Sequence, residues 1–375
     1  MPSFRKCFLV LLGIPSVLAA QTDSTCSHGS LDIPVAGYGI SFGNSARTSG
    51  LRFNWRDDCL EEVNGLNFTL WVPGERMTGT INGIAVGLGA AGGDEIRGLA
   101  LGIGGVFSGR ELIGLSLGGV AVVGSGNAAG ITVSGMGTVM NGDITGFNFG
   151  GLGCMSGGDL TGVSVGPLGL VAQKDITGIN LAGLGIVSSR DLTGFNFGGL
   201  GVVSSRDLTG INVAGLGTVA GGGVTGMSIA GLGLVSGGDL TGINIAGLAA
   251  VAKTGVTGLT VAGGAIVSGG GISGANITVG TVQSGTTVSG LTVAGYRTKA
   301  ECVSGLDVNV LTTQVQCSRG IITGVYNRVY DTQRGISIGI FNHATNLYGI
   351  QIGLLNYAEN NPDGLKILPV VNVHF

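Results

Sequence analysis

Six aspartates, Asp143, Asp159, Asp175, Asp191, Asp207 and Asp239, recur at multiples of sixteen residues. They are the residues here best suited to metal chemistry, because Ca²⁺ takes six to eight oxygen ligands and stacked carboxylates are one way to supply them. The pattern argues against that use. Each unit offers a single carboxylate, the nine-residue period of calcium-binding rolls is absent, and Lys174, Arg190 and Arg206 directly precede three of the aspartates. Charge compensation between neighbouring units, with Asp serving the turns, is the stronger reading. No metal site and no cofactor are assigned. The three histidines, His28, His343 and His374, are far apart and lack any paired metal spacing. Polysaccharide-cleaving β-helices need carboxylates and basic residues clustered on one flank, whereas this body offers Asn, Thr and Gly. The chain is therefore read as a non-enzyme. Matches to Gly-x-Gly-x-x-Gly are expected by composition among 77 glycines, and none precedes a helix. The Thr row gives one Thr per unit followed by Gly, which suits ladders between units better than a lattice-binding face. Sequons at Asn67 and Asn276 are read as accidental.

Cysteine spacing carries more information. Cys302 and Cys317 each stand three residues before a glycine that begins a unit. Parallel stacked units would bring their Cα atoms about 5 Å apart, within disulfide range, whereas an antiparallel meander would hold them roughly 30 Å apart. An exported compartment permits such a bond. Cys26 and Cys59 form a second candidate pair near the N-terminus. Cys154 replaces an apolar residue of the repeat and reads as a buried, inert thiol.

The elements that position these residues are declared by a glycine that returns every sixteen residues from Gly98 to Gly290, thirteen times in phase. Such self-similarity marks a repeat architecture whose units bury their faces only by stacking. A typical copy runs Asp207-Leu208-Thr209-Gly210-Ile211-Asn212-Val213-Ala214-Gly215-Leu216. Its apolar positions, Leu208, Ile211, Val213, Leu216 and Val219, fall two and three apart, which fits neither a helix nor one long strand. Short strands joined at glycine corners fit it. Looser copies extend the array upstream through Gly50, Gly65 and Gly83 and downstream through Gly305, Gly320, Gly335, Gly349 and Gly364, about twenty-one units in all. The expected fold is all-β, a single parallel β-solenoid roughly 100 Å long. The alternative is an antiparallel outer-membrane β-barrel, one strand per unit. Repeating polar positions favour the solenoid, because the Thr145 to Thr257 and Asn148 to Asn276 series stay in register only in a parallel stack. Aromatics at 5% leave little for the girdles of a barrel, although the terminal Val371-Asn372-Val373-His374-Phe375 is like the assembly signal of such barrels.

The organisation read from these patterns is a signal peptide over 1–20, an N-terminal cap over 21–49, irregular first repeats over 50–97, sixteen-residue repeats over 98–304, and shorter repeats with a C-terminal cap over 305–375. The leader shows Arg5 and Lys6, an apolar run from Phe8 to Leu18, and small residues Ala19 and Ala20. In the C-terminal cap, Pro362 and Pro369 are expected to interrupt pairing. A charge of -3 leaves no basic footprint for nucleic acid.

The end of the chain resembles a known group. Gly320-Ile321-Ile322-Thr323-Gly324-Val325-Tyr326-Asn327, Gly335-Ile336-Ser337-Ile338-Gly339-Ile340-Phe341-Asn342 and Gly349-Ile350-Gln351-Ile352-Gly353-Leu354-Leu355-Asn356 resemble the G-[VI]-Q-[IL]-G-L-[LI]-N repeats of bacterial surface-repeat proteins first grouped in Leptospira. The resemblance is specific over 320–375 and looser over the body, where Ala-Gly-Leu-Gly stands in place of Gly-Leu-Leu-Asn. It implies a bacterial envelope or surface protein without established biochemical activity, and supplies no site residues. The expected function is a non-catalytic repeat scaffold in the periplasm, outer membrane or cell surface. Its partners are not specified by the sequence, envelope or surface components being the candidates, and membrane association is left open; an outer-membrane channel or assembly-dependent membrane protein is the alternative attached to the barrel.

Overall fold

The computed structural model describes residues 29–35, 38–74 and 77–375; the leader and Cys26 lie outside the described residues. Among these residues there are strands and no helices. In each body unit a seven-residue strand such as Leu208–Ala214 is followed by a corner and a four-residue strand such as Gly217–Ala220. Each strand pairs in parallel with its equivalent one unit away: Leu208 stands opposite Leu192 and Val224, and Gly217 opposite Gly201 and Gly233. The chain is a parallel β-solenoid, and the barrel alternative, with the channel attached to it, falls with this register.

Glycine spacing sets the stack. Twenty glycines from Gly50 to Gly349 occupy one column with positive φ, giving about nineteen turns and a length of about 90 Å at ~4.8 Å per strand spacing. The estimate of twenty-one units is corrected at the C-terminus. Gly364 lies in a turn and stacks on nothing. The requirement for glycine is steric at Gly210, where φ is 109° and a Cβ would lie inside 3.0 Å of the Gly194 carbonyl oxygen. An L side chain is strained there on both counts.

Alternation along the strands decides which side chains enter the axis. In the representative unit Leu208, Asn212, Ala214, Thr218 and Ala220 are buried, while Thr209, Ile211, Leu216 and Val219 are exposed. The core is thus narrow. One column carries Leu160, Ile176, Leu192, Leu208, Val224 and Leu240, and another runs through Leu170, Ile186, Val202 and Leu234. Each large buried aliphatic side chain contributes about 1.5–3 kcal/mol, so stability accumulates along the stack.

The two ends depart from the parallel rule. Ser30–Val35 pairs antiparallel with Tyr38–Gly43, which joins the stack in parallel through Gly39 and Gly50. At the other end Ile367–His374 pairs antiparallel with Phe341–Ala358, and the register shifts between Gly353 and Asn356, opposite Pro369. Both reversals lie across the axial edges, where an uncapped strand would expose unpaired backbone groups.

Candidate functional site

The aspartate column sits at the corner between the short strand and the next long strand. Five of the six carboxylates accept a backbone N–H of the following unit, Asp239 accepting the Thr254 hydroxyl instead: Asp143 from Asp159 at 2.8 Å, Asp159 from Asp175 at 3.0 Å, Asp175 from Asp191 at 2.9 Å and Asp191 from Asp207 at 3.1 Å. Asp207 accepts from Gly223 at 2.8 Å. The basic residues complete this ladder. Arg190 lies 3.5 Å from Asp175, Arg206 lies 3.4 Å from Asp191, and Lys174 reaches back two units to Asp143 at 3.9 Å. Among the described residues no three His, Cys, Asp or Glu side chains converge to hold a metal ion. The aspartates satisfy backbone donors at a corner that would otherwise leave them open to water.

Serines reinforce the same corner, a role that sequence reasoning missed. The Ser204 hydroxyl lies 2.6 Å from the Arg190 carbonyl and 2.9 Å from the Asp207 carbonyl, and accepts the Arg206 N–H at 3.3 Å. Ser156, Ser188, Ser236 and Ser284 repeat this arrangement. The available signal was their fixed place three residues before the Asp position.

Inside the axis, three consecutive asparagines, each two residues after a column glycine, form an amide ladder. Asn180 donates to Asn196 and Asn196 to Asn212, each at 2.9 Å. Ser164, Ser228, Thr260 and Thr292 occupy the same inner column. A second ladder runs through the residues that end the C-terminal motifs, from Asn327 to Asn342 and on to Asn356, at 2.8 Å per step. The Thr column faces outward instead.

Two charged side chains also occupy that inner column, and neither was singled out from sequence. Arg52 is fully buried, pairs with Asp57, and donates to Asn67 at 2.7 Å and Asn44 at 2.9 Å. Near the other end Asp307 is buried among Thr298 at 3.0 Å, Asn309 at 2.6 Å and Thr313 at 3.4 Å. Burial pushes the Asp307 carboxyl up from 3.8 to about 6, against the hydrogen bonds from these three residues. Their signal was position: both stand two residues after a column glycine.

The cysteines are placed plainly. Cys302 and Cys317 are register partners with Cα atoms 4.5 Å apart and are joined by a disulfide. Cys59 is disulfide-bonded, while Cys26 lies outside the described residues. Cys154 is buried, and desolvation pushes its thiol up to about 11, which suppresses the reactive thiolate. His343 stacks on Tyr357 with ring centroids 4.8 Å apart, and burial, then Arg328, lowers its pKa. His374 Nδ1 lies 2.6 Å from Asn361 Oδ1 in the C-terminal cap; His28 lies outside the described residues. The sequons are inaccessible, since Asn67 and Asn276 are 1% and 0% exposed.

A shallow charged groove on the first units is lined by Arg47, Glu61, Glu62, Glu95 and Arg97. Its charges are largely paired within the protein: Arg47 meets Glu61 at 2.6 Å and Arg97 meets Glu95 at 3.0 Å. No family model matches the chain, and no curated protein or solved structure shows significant similarity to it.

Proposed function

We propose that the protein is a non-catalytic structural component of a bacterial envelope or surface, a stiff spacer that extends and displays its own outer faces. The observation that carries this reading is the use made of the polar side chains. The Asp, Ser and Asn columns spend their hydrogen bonds joining one unit to the next. Extension follows directly, because a stack held by nearest-neighbour contacts grows in length with each unit. The export leader read over 1–20 and the resemblance of 320–375 to bacterial surface-repeat proteins support the location.

Removing four whole units, residues 176–239, tests the spacer reading. The remaining units keep their register, so solution scattering is expected to show a rod shorter by about 19 Å in a protein that still fractionates with the envelope. Full-length protein retained in the cytosol, or a deletion that unfolds the remaining units, would overturn the reading.

A further inference from the structure

The outer face of the long strands has the opposite polarity from the axis. The residues one and three places after the twenty column glycines form two adjacent columns, from Leu51 and Phe53 to Ile350 and Ile352. Every one is apolar except Thr323, and none is buried. Ile179, Ile211 and Ile243 are 47%, 43% and 38% exposed. This continuous strip greatly exceeds the scattered apolar residues normal on a soluble surface.

We propose that this face packs against the same face of a second copy, in an antiparallel, two-fold symmetric dimer. Three observations select that occupant, and the proposal rests on the structural reading above. The first is area. A strip about 90 Å long and about 10 Å wide offers roughly 900 Å², against the ~800 Å² per partner of a stable interface. The second is period, since a sheet with identical strand spacing is the surface whose side chains interdigitate with it along the whole length. The third is charge. A two-fold axis at mid-rod, between the units of Gly194 and Gly210, places the unit of Gly65 opposite that of Gly335. The same edge of the face then brings Glu62 toward Arg334 and Arg319 of the other copy, whereas Glu95 and Glu111 are held by Arg110 and Arg97 of their own chain. Of the basic residues on the acidic end, Arg47 is bonded to Glu61 and Arg97 to Glu95; Arg334 lies over the ring of Tyr348. A bilayer fits less well, because the strip lacks the Lys and Arg rims of interfacial elements: its middle is bordered by the Thr column.

The test uses the exported full-length chain. Sedimentation equilibrium is expected to give twice the chain mass, and the triple variant Ile179→Lys, Ile211→Lys, Ile243→Lys half of that, with an unchanged far-UV spectrum. The matched variant Ser189→Lys, Ser205→Lys, at the charged corner, is expected to remain dimeric. Orientation is read with a bismaleimide spanning about 10 Å, Cys154 being buried. Ile211→Cys near the axis should crosslink two copies and Ile84→Cys should not, while a mixture of Ile84→Cys and Ile321→Cys should. A monomer at tens of micromolar overturns the dimer, as does a monomer that floats with phosphatidylethanolamine and phosphatidylglycerol vesicles. Efficient self-crosslinking at Ile84→Cys overturns the antiparallel arrangement. A monomer that still fractionates with the envelope would defeat the dimer and leave the spacer reading standing.

Discussion

Replacing Asp307 with Asn is expected to stabilise the C-terminal units at neutral pH and to do nothing in acid. The carboxyl is fully buried and titrates at about 6 when folded, against an ordinary 3.8. The folded chain therefore binds this proton more tightly than the unfolded chain, so stability falls as pH rises from about 4 to about 6. Two pKa units correspond to ~3 kcal/mol, the upper size of the loss. Asn preserves the network: its amide oxygen faces the Asn309 amide, and its NH₂ faces the Thr298 hydroxyl, which also lies 2.9 Å from Asn309 Oδ1. The advantage of D307N should thus be near zero at pH 3.5, grow through pH 5, and plateau above pH 6.5. Because long repeat arrays lose two-state behaviour, the assay is local: amide exchange protection of Val303 on the same strand and Val315 on the next, compared between variant and parent across that range. A difference independent of pH, or a variant less protected at pH 7.5, would refute the argument that the buried charge is the destabilising element.

Other outcomes follow from the same geometry. Gly210→Ala places a Cβ against the Gly194 carbonyl at positive φ and should cost about 2–5 kcal/mol locally, read as exchange loss confined to the neighbouring units; unchanged protection would contradict the steric role of the glycine column. Arg52→Met leaves Asp57 buried without its partner and should cost about 3–5 kcal/mol, detected as early melting of the N-terminal units. Deleting residues 360–375 bares the strand Phe341–Ala358 and should drive end-to-end assembly beyond the dimer, visible by light scattering; a truncated chain as soluble and no larger than the parent would remove the capping role.

The architecture was legible because it depends on period. Gly210 and its equivalents fix the register, and the fifteen-residue interval from Cys302 to Cys317 makes sense only if like positions stack. Side-chain orientation was harder to read. Hydropathy marks Ile211, Val213, Leu216 and Val219 as core candidates, yet each is turned away from the axis, and Asn212 and Ala214 are turned in. The reason is dimensional: a coil of about sixteen residues encloses room for few large side chains, and the amides of Asn180, Asn196 and Asn212 bond to one another from unit to unit. Arg52 and Asp307 were hidden by the same habit of reading charge as surface. The ladder of backbone N–H groups onto Asp Oδ1 depends on corner geometry that composition does not reveal.

The central claim is that equivalent residues of successive units lie side by side through the body of the rod. An engineered pair, Thr193→Cys with Thr209→Cys, tests it directly, because these exposed residues are parallel register partners about 4.8 Å apart, inside the range of a disulfide. Non-reducing peptide mapping of the exported variant is predicted to recover the 193–209 crosslink in high yield, alongside the native Cys302–Cys317 bond. Two freely alkylatable thiols at 193 and 209 in the folded protein would contradict the parallel stack.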